Sequence, residues 1–204
     1  MENAVKSRGI KYIWHFTRLE NIDSILTNGI VPRSTLEDRL SNVIYNDSYR
    51  FDNHKNASCF SITHPNYKMF YSLRKQNEMQ EWVVIGCAPD ILWIKDCAFC
   101  YENAASSTMT NIPLEMKKGV VAFESLFYEA DGKPSREELR LKDNCPTNPQ
   151  AEVLIFDLVE PKYIIGAVCI SKNRADSLKA IYPNFDFIYH RTLFSARSDY
   201  EHWR

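Results

Sequence analysis

Residues 11–29, KYIWHFTRLENIDSILTNG, combine the two patterns from which the fold is built. Aromatic and smaller side chains alternate up to Thr17, which predicts a strand because successive strand side chains point to opposite faces. One face should carry Tyr12, Trp14 and Phe16, and the other Ile13, His15 and Thr17. Apolar residues then recur at helical spacing, at positions 19, 22, 25 and 26. Asn28-Gly29 predicts the end of this short helix, since glycine tolerates the left-handed conformation that ends helices.

Outward from this stretch, the chain continues to mix strand and helix patterns. Strands are predicted at ASCFSIT (57–63), EWVVIGC (81–87), QAEVLIFD (150–157), YIIGAVCI (163–170) and FDFIYHR (185–191), with ILWIKD (91–96) as a further candidate. Helices are predicted from Pro65 to about Gln76 and near 172–181, whereas residues 30–56 are expected to be irregular. Residues 128–149 are polar and contain Gly and Pro, which predicts a long surface loop of the kind that is often functional. We expect one α+β domain over residues 1–204.

The composition is that of a globular protein. Of 204 residues, 45% are hydrophobic and 13% aromatic, which excludes a disordered chain and suffices for a sizeable core. No stretch approaches the roughly 18 apolar residues that span a bilayer. The opening, MENAVKSRGIKY, lacks the apolar centre of a signal peptide. We therefore expect a soluble, cytoplasmic protein with no membrane partner.

Cysteine and charge usage narrow the chemistry. The six cysteines are expected to be reduced and mostly buried, as is usual in proteins that are not exported. Cys97 and Cys100 form one CxxC, but no second CxxC or close His pair completes a set of four zinc ligands, so no metal is expected. A net charge of −1 argues against an extended basic coat for nucleic acid. The basic clusters within 68–75 and 133–142 are either solvated surfaces of mixed charge or local contacts with nucleic acid.

Glu152 is the most unusual residue of the predicted strands. It lies inside the apolar segment EVLIF, where a carboxylate is desolvated unless something binds or pairs with it. Gln150, Glu152 and Leu154 should share one face of that strand. An edge-strand glutamate that faces solvent or a structural ion pair would also explain Glu152. Alternatively, Glu152 is a reactive carboxylate in a cleft.

Further polar and aromatic side chains bear on that choice. His15 and Thr17 share a strand face, which is typical either of a satisfied core histidine or of a polar pocket for a ribose or an amide. Tyr67, Phe70 and Tyr71 form one stripe of the helix that follows Pro65. Such a stripe is ordinarily core, but a ring at its edge can also stack on a nicotinamide.

At this point the sequence resembles the DarT toxins, DNA ADP-ribosyltransferases of bacterial toxin–antitoxin pairs. Three blocks in the same order carry the resemblance: WHFTRLENIDSILTNGI (14–30), PNYKMFYSLR (65–74) and NPQAEVLIF (148–156). The first and third blocks together are fairly specific, whereas a single QxE or HxT would be weak. The resemblance implies a split, mainly antiparallel sheet around an NAD+ cleft, with NAD+ as co-substrate. It also implies single-stranded DNA as a partner and a cognate antitoxin that removes ADP-ribose, of macrodomain or NADAR type.

The resemblance further implies roles for individual residues. Glu152 matches the catalytic carboxylate, and Arg50 falls near a second catalytic arginine, which would neutralise the pyrophosphate or help to deprotonate the attacking base. The residues implied at the dinucleotide are His15, Phe16, Thr17, Ser24, Gly29, Ser61 and Tyr71. Those implied at the DNA are Gln150, Arg74, Tyr67, Arg136 and Arg140. Residues 128–149 correspond to the substrate-recognition loop.

The target base and the acceptor have alternatives. Thymine-modifying members usually show a YVPFYF-like strand followed by PRSPMLY, whereas ASCFSIT and PNYKMFY here are more similar to the guanine-modifying branch. The same fold could instead serve an RNA or protein acceptor, or water, as an NAD+ glycohydrolase. A catalytically silent module that binds nucleic acid or an antitoxin, with a merely structural Glu152, is the alternative outside enzymes.

Overall fold

The computed structural model describes residues 1–39 and 54–203, and within these ranges the chain forms eight α-helices and seven strands. The helices are α1 (Glu2–Ser7), α2 (Ile22–Asn28), α3 (Arg33–Arg39), α4 (Tyr67–Gln76), α5 (Ile91–Ile94), α6 (Ser107–Thr110), α7 (Gly119–Ser125) and α8 (Lys172–Ile181). The strands are β1 (Ile13–Arg18), β2 (Ser58–Ile62), β3 (Trp82–Cys87), β4 (Cys97–Cys100), β5 (Glu152–Ile155), β6 (Ile164–Cys169) and β7 (Asp186–Tyr189). Short 3-10 helices cover Leu19–Asn21, Leu114–Lys117, Pro161–Tyr163, Arg191–Phe194 and Tyr200–Trp203.

The described strands join one sheet in the order β4-β5-β2-β1-β3-β6-β7. Neighbouring strands are antiparallel except β6 and β7, which are parallel. β1 pairs with β3 along its whole length, from Ile13 opposite Cys87 to Arg18 opposite Trp82. It pairs with β2 only through Ile13 and Trp14, opposite Ile62 and Ser61. The expected mainly antiparallel α+β fold is confirmed, and its sheet is only narrowly joined between β1 and β2.

Both faces of the sheet are covered. The main core lies on the face that carries Ile13, Val83 and Ile85, where residues of α1, α2, α5, α7 and α8 pack. On the other face, α4 brings Phe70 against Trp82 and Val84. This two-sided burial explains why β3 reads as an uninterrupted apolar run rather than an alternating one. No helix within 1–39 or 54–203 is long and apolar enough to cross a membrane.

The amino-terminal prediction of strand, helix and glycine stop is confirmed. A 3-10 turn leads from β1 into α2, and Gly29 follows α2 with φ +86°. A Cβ at Gly29 would lie 2.2 Å from the carbonyl oxygen of Val159, with which Ile30 forms a β-bridge. Glycine is therefore required here both by its backbone conformation and by the close approach of a neighbouring segment.

Two sequence predictions need correction, and one strand was not predicted. ILWIKD is not a strand but the short helix α5, because Pro89 and Asp90 accept hydrogen bonds from amides of this segment and so start a helical turn. The strand on that side is β4, which the sequence analysis did not predict. Residues 30–56 are not wholly irregular, since α3 forms there with an Arg33–Glu37 ion pair one turn apart (2.7 Å). Arg50 lies outside the described residues. Residues 128–149 contain neither helix nor strand, as predicted.

Candidate active site

Glu152 is the first residue of β5 and is buried, with 5% of its surface exposed. One carboxylate oxygen, Oε1, accepts a hydrogen bond from Asn66 Nδ2 (3.0 Å). The other, Oε2, accepts from the backbone amide of Ala104 (2.9 Å). A buried carboxylate is tolerated only when such donors replace the water that it loses. The solvent-facing alternative for Glu152 is therefore wrong.

Asn66 connects Glu152 to the start of α4. It is fully buried and caps the helix, because its Oδ1 accepts from the amide of Met69 (3.3 Å). Its own amide donates to Ser61 Oγ (3.0 Å) at the end of β2. Ser61, Asn66 and Glu152 thus form one hydrogen-bonded chain from β2 through α4 to β5.

A tight turn between β2 and α4 sets the position of Asn66. Thr63 has φ +63°, which is rare for a β-branched residue, and the amide of His64 donates to the carbonyl of Ile62 (2.7 Å). The turn is held from outside, since Trp14 Nε1 donates to the Thr63 carbonyl (3.0 Å). Burial lowers the pKa of His64, whose ring nitrogens lie beside the carbonyls of Pro65 and Thr192. The imidazole next to this turn is therefore expected to be neutral at pH 7.

His15 lies where the β1–β2 ladder ends. Its Nδ1 is 2.9 Å from the carbonyl oxygen of Cys59, and its ring packs on Phe60 (5.3 Å between centroids). Along β2, Phe60 faces the main core, whereas Ser61 is level with Glu152 when the β2–β5 register is extended by one residue. His15 and Glu152 therefore flank β2 on its two neighbouring strands, about 10 Å apart across one strand, and point to opposite faces.

The other residues implied at the dinucleotide are spread along β1, α2 and α4. Thr17 is buried and accepts from Asn21 Nδ2 (3.0 Å), whereas Phe16 points to the opposite face and stacks on Phe70 (4.6 Å). Ser24 is exposed on α2, and Asn28 Nδ2 donates to its hydroxyl (3.4 Å). Tyr71 is 56% exposed on α4, with Lys75 beside its ring. The structure links Ser61 to Glu152 through Asn66, and the hydrogen bonds of that chain do not involve Tyr71.

Two arginines implied at the DNA are engaged inside the protein. Arg74 Nη2 donates to the carbonyl of Phe194 (2.7 Å), and its guanidinium lies over the Phe70 ring (4.7 Å). Arg136 donates to the carbonyls of Cys145 and Lys142 (both 2.9 Å). In these hydrogen bonds the two arginines hold backbone carbonyls of neighbouring segments in place.

Of the remaining three residues implied at the DNA, one is exposed and two are half-buried. Arg140 is exposed and has φ +53°. Tyr67 is half-buried, and this burial raises the pKa of its hydroxyl. Gln150 is half-buried just ahead of β5, where its backbone N–H donates to Asn148 Oδ1 (2.9 Å). Its side chain is two residues from Glu152.

The sequence analysis missed the residues that hold Glu152. Asn66 had a recognisable signal, because Asn directly before a helical stripe is a typical N-cap. Its contact with a residue 86 positions away had none. The amide of Ala104 carries no side-chain signal at all. The structure also brings no group of three or more His, Cys, Asp or Glu side chains together as metal ligands among the residues it describes.

The arrangement suits the stabilisation of a developing positive charge. A carboxylate held by two N–H donors and shielded from water keeps a fixed orientation, so no reorganisation is needed when a cationic centre forms beside it. The same shielding strengthens the electrostatic interaction. A fixed, shielded carboxylate of this kind can stabilise a cationic centre that forms beside it.

Comparisons with known proteins agree with this chemistry. The family model described as "ssDNA thymidine ADP-ribosyltransferase, DarT" matches residues 14–200. A search of curated protein sequences found no match.

Solved structures of two DarT proteins have a similar fold. The Thermosipho africanus DarTG structure in complex with ADP-ribose aligns with a TM-score of 0.65 at 18% identity over 90% of this chain, which spans only 51% of that longer chain. Thermus sp. 2.9 DarT in complex with NAD+ aligns with a TM-score of 0.55 at 14% identity over 91% of this chain and 98% of its own. The same protein in complex with ADP-ribosylated ssDNA gives a TM-score of 0.53 at 12% identity, over 92% and 97% of the two chains.

Proposed function

The chain belongs to the DarT family of single-stranded-DNA ADP-ribosyltransferases, and from this we propose that it transfers ADP-ribose from NAD+ to a nucleobase of single-stranded DNA. Nicotinamide leaves as the C1′–N bond of the ribose breaks, a ring or amino nitrogen of the base forms the new bond at C1′, and the proton that this nitrogen carried passes to water. The observation that carries the proposal is the buried, doubly hydrogen-bonded carboxylate of Glu152 in the matched region.

Glu152 stabilises the reacting sugar. Breaking the bond to nicotinamide builds positive charge on the ribose, and a fixed carboxylate lowers the energy of that charge more than bulk water would. It also accepts a hydrogen bond from a ribose hydroxyl. Its two N–H donors, from Asn66 and Ala104, restrict the carboxylate to one orientation.

The residues at the end of the β1–β2 ladder bind the dinucleotide. We assign this role to His15, Phe16, Thr17 and Ser61, with Ser24, Gly29 and Tyr71 at its margins. The support is that β1 and β2 stop pairing beyond Trp14 and Ser61, and that Ser61 is linked to Glu152 through Asn66. Arg50 is proposed to neutralise the pyrophosphate, since arginine normally stays protonated.

The DNA approaches from the segment that precedes β5. A base is reactive only when it is unstacked, which makes a single strand the simplest substrate. The proposed contacts are Arg140, which is exposed, and the half-buried Gln150 and Tyr67. We propose guanine as the target, because residues 57–71 depart from the block typical of thymine-modifying enzymes. Thymine is the alternative, since the description of the matched family model names thymidine.

The biological setting follows from the family. The matched Thermosipho africanus structure is titled DarTG, and we propose that this chain is the toxin of such a pair. Its partner would be an antitoxin that removes ADP-ribose from DNA, of macrodomain or NADAR type. We also propose a cytoplasmic location over a single domain of residues 1–204, consistent with the absence of disulfides among the six cysteines, all of which are described.

Labelled NAD+ tests the proposal directly. The protein is incubated with labelled NAD+ and separate pools of single-stranded DNA, RNA and protein, and oligonucleotides that differ in one base type are then analysed by mass spectrometry. We expect label on single-stranded DNA, at guanine. Glu152→Gln should lower the rate about 100-fold or more because it removes the charge.

Glu160→Gln is the matched control, since it neutralises a glutamate that pairs with Lys95 (2.8 Å) and has no contact with Glu152 among those described. Label on RNA or protein, or ADP-ribose released into water alone, would replace the proposed acceptor. Absence of NAD+ consumption by the wild type would instead support a catalytically silent binding module.

A further inference from the structure

A buried arginine near the carboxyl end forms hydrogen bonds with the segment that leads into Glu152. Arg197 is only 8% exposed. Its Nη1 and Nη2 donate to the carbonyls of Pro146 and Thr147 (both 2.6 Å), and Nη1 also approaches Cys145 Sγ (3.4 Å). Its Nε and Nη2 pair with the carboxylate of Asp199 (2.6 and 2.5 Å). These five contacts equal the number of N–H donors that a guanidinium carries.

Asp199 completes the arrangement. It is 4% exposed and also accepts from Trp203 Nε1 (2.9 Å). Burial alone would raise the pKa of Asp199, but its hydrogen bonds and charge interaction with Arg197 bring that pKa below the usual value. We call Arg197, Asp199 and the carbonyls of Pro146 and Thr147 the clasp.

The carboxyl-terminal segment that carries the clasp is also tied to α4. Lys68 Nζ donates to the carbonyl of Trp203 (2.7 Å), and Arg74 donates to that of Phe194. The His64 ring lies 3.2 Å from the carbonyl of Thr192. Residues 191–203 therefore connect helix α4, which Asn66 caps, with the loop that precedes Glu152.

Other hydrogen bonds anchor the loop mainly ahead of Pro146, where Arg8 Nη1 donates to the carbonyl of Asp143 (3.0 Å) and Thr63 Oγ1 to that of Asn144, while Arg136 Nη1 also donates to Thr147 Oγ1 (2.7 Å). Thr147 donates to the carbonyl of Leu126 (2.9 Å), and Arg136 holds the carbonyls of Lys142 and Cys145. From Thr147 only three residues lead to Gln150 and five to Glu152, so a change at the clasp is transmitted over about 17 Å of chain at most.

We propose that Arg197 and Asp199 are positioning residues for substrate recognition, an inference that rests on the proposed function. A buried ion pair adds little net stability compared with apolar residues of the same size. What this pair fixes is the path of residues 145–151, and through it the place of Gln150 relative to the Glu152 carboxylate. The carboxyl-terminal segment is thereby part of the recognition apparatus for DNA.

Arg197→Lys is the decisive variant in the full chain. Lysine keeps the charge that Asp199 requires but lacks the planar fork, so it cannot hold both carbonyls and the carboxylate. The matched control is Arg174→Lys, because Arg174 forms a similar two-pronged pair with Glu81 on the surface. For each protein we would measure amide hydrogen exchange in residues 142–151, the KM for a single-stranded oligonucleotide and for NAD+, and the ratio of DNA transfer to NAD+ hydrolysis.

We expect faster exchange at 145–151, a KM for the oligonucleotide raised about 10-fold or more, and a transfer-to-hydrolysis ratio lowered about 10- to 100-fold, since a displacement of 1 Å has effects of that size. The KM for NAD+ should not change. Loss of folded protein alone would leave the ratio and both KM values as in the wild type. Unchanged exchange, or faster exchange with an unchanged ratio and KM, would overturn the proposal.

The exchange measurement stands without catalysis. If the wild type labels no DNA, the proposed function fails while the clasp is still judged by exchange. If Arg197→Lys does not fold, the wild type alone remains informative: the amides of Thr147 and Ala151 should exchange as slowly as those of β5, although they lie outside regular structure. Rapid exchange there would refute the clasp.

Discussion

The two flanks of β1 are built differently. Towards β3 and β6 the strands pair over their full length, and the side chains of β3 are apolar and buried. Towards β2 and β5 the β1 ladder stops after two residue pairs, and polar groups take over: His15 at Cys59, Asn66 at Ser61 and Glu152, and Arg197 at the loop before β5. Apolar burial stabilises the first flank, whereas directional hydrogen bonds define the second.

The difference separates two requirements of a catalyst. Apolar packing is non-directional and gives stability in proportion to the area removed from water. Hydrogen bonds add less net stability but fix angles and distances. Mutations on the β3 side should therefore mainly change the free energy of unfolding, and mutations on the β2 side should mainly change the rate of reaction.

The largest effect is expected on the β3 side. Ile85 is fully buried in the centre of β3, and Ile85→Ala should lower the free energy of unfolding by about 2–5 kcal/mol through lost contacts and a residual cavity. Denaturant unfolding measures this loss. The KM for NAD+ of the protein that remains folded should stay at the wild-type value. A large change in KM with little loss of stability would contradict the assignment of β3 to the scaffold.

The next effect is expected at Asn66. Asn66→Ser keeps an N-cap oxygen for α4 but is too short to donate to Glu152, so it isolates that one hydrogen bond. A hydrogen bond to a charged group contributes about 1.5–3 kcal/mol, which corresponds to a kcat lowered about 10- to 100-fold when that energy is realised in the transition state and not in the ground state. Steady-state kinetics with DNA and NAD+ measure it.

Ser171→Ala provides the comparison for Asn66. Ser171 caps α8 by accepting from the amide of Arg174, on the far side of the sheet order from β5. Its loss should reduce stability by about 0.5–2 kcal/mol without changing kcat. If Asn66→Ser and Ser171→Ala behave alike, the contact between Asn66 and Glu152 has only a capping role.

The same contrast explains what the sequence could predict. Period-two and period-3.6 apolar patterns depend on local residues, so β1, β2, β3, α2, α4 and α8 were predictable. The four-residue elements α5 and β4 were not, because both are short apolar runs and differ only in the turn that starts α5 at Asp90. The CAFC segment of β4 also contains the CxxC at which no metal was expected, and both of its cysteines are buried in the strand.

The polar flank was predictable only in its central residue. A glutamate within an apolar strand is visible in the sequence, but its donors are not, since Asn66 comes from a distant helix and Ala104 contributes a backbone amide. Arg74 and Arg136 show a second limit of the sequence. A basic residue near a loop can hold main-chain carbonyls as readily as phosphates, and the linear sequence does not distinguish the two acceptors.

The smallest effect, and the one that separates the flanks most directly, concerns acid. Because the pKa of Asp199 is lowered in the folded protein, its contribution to stability is fully present above the unfolded value of about 3.9 and is lost as the pH falls through the folded value. The destabilisation caused by Asp199→Asn should therefore be measurable at pH 7 and shrink as the pH drops below about 4. Denaturant unfolding across this range measures it.

The destabilisation caused by Ile85→Ala should not shrink in this way, since no titrating group contributes to it. Asp176→Asn, which removes only an exposed pair with Lys172, should have little effect at any pH. If the loss in Asp199→Asn were independent of pH, the clasp would be stabilised by packing around Trp203 rather than by charge, and the polar flank would then resemble the apolar one.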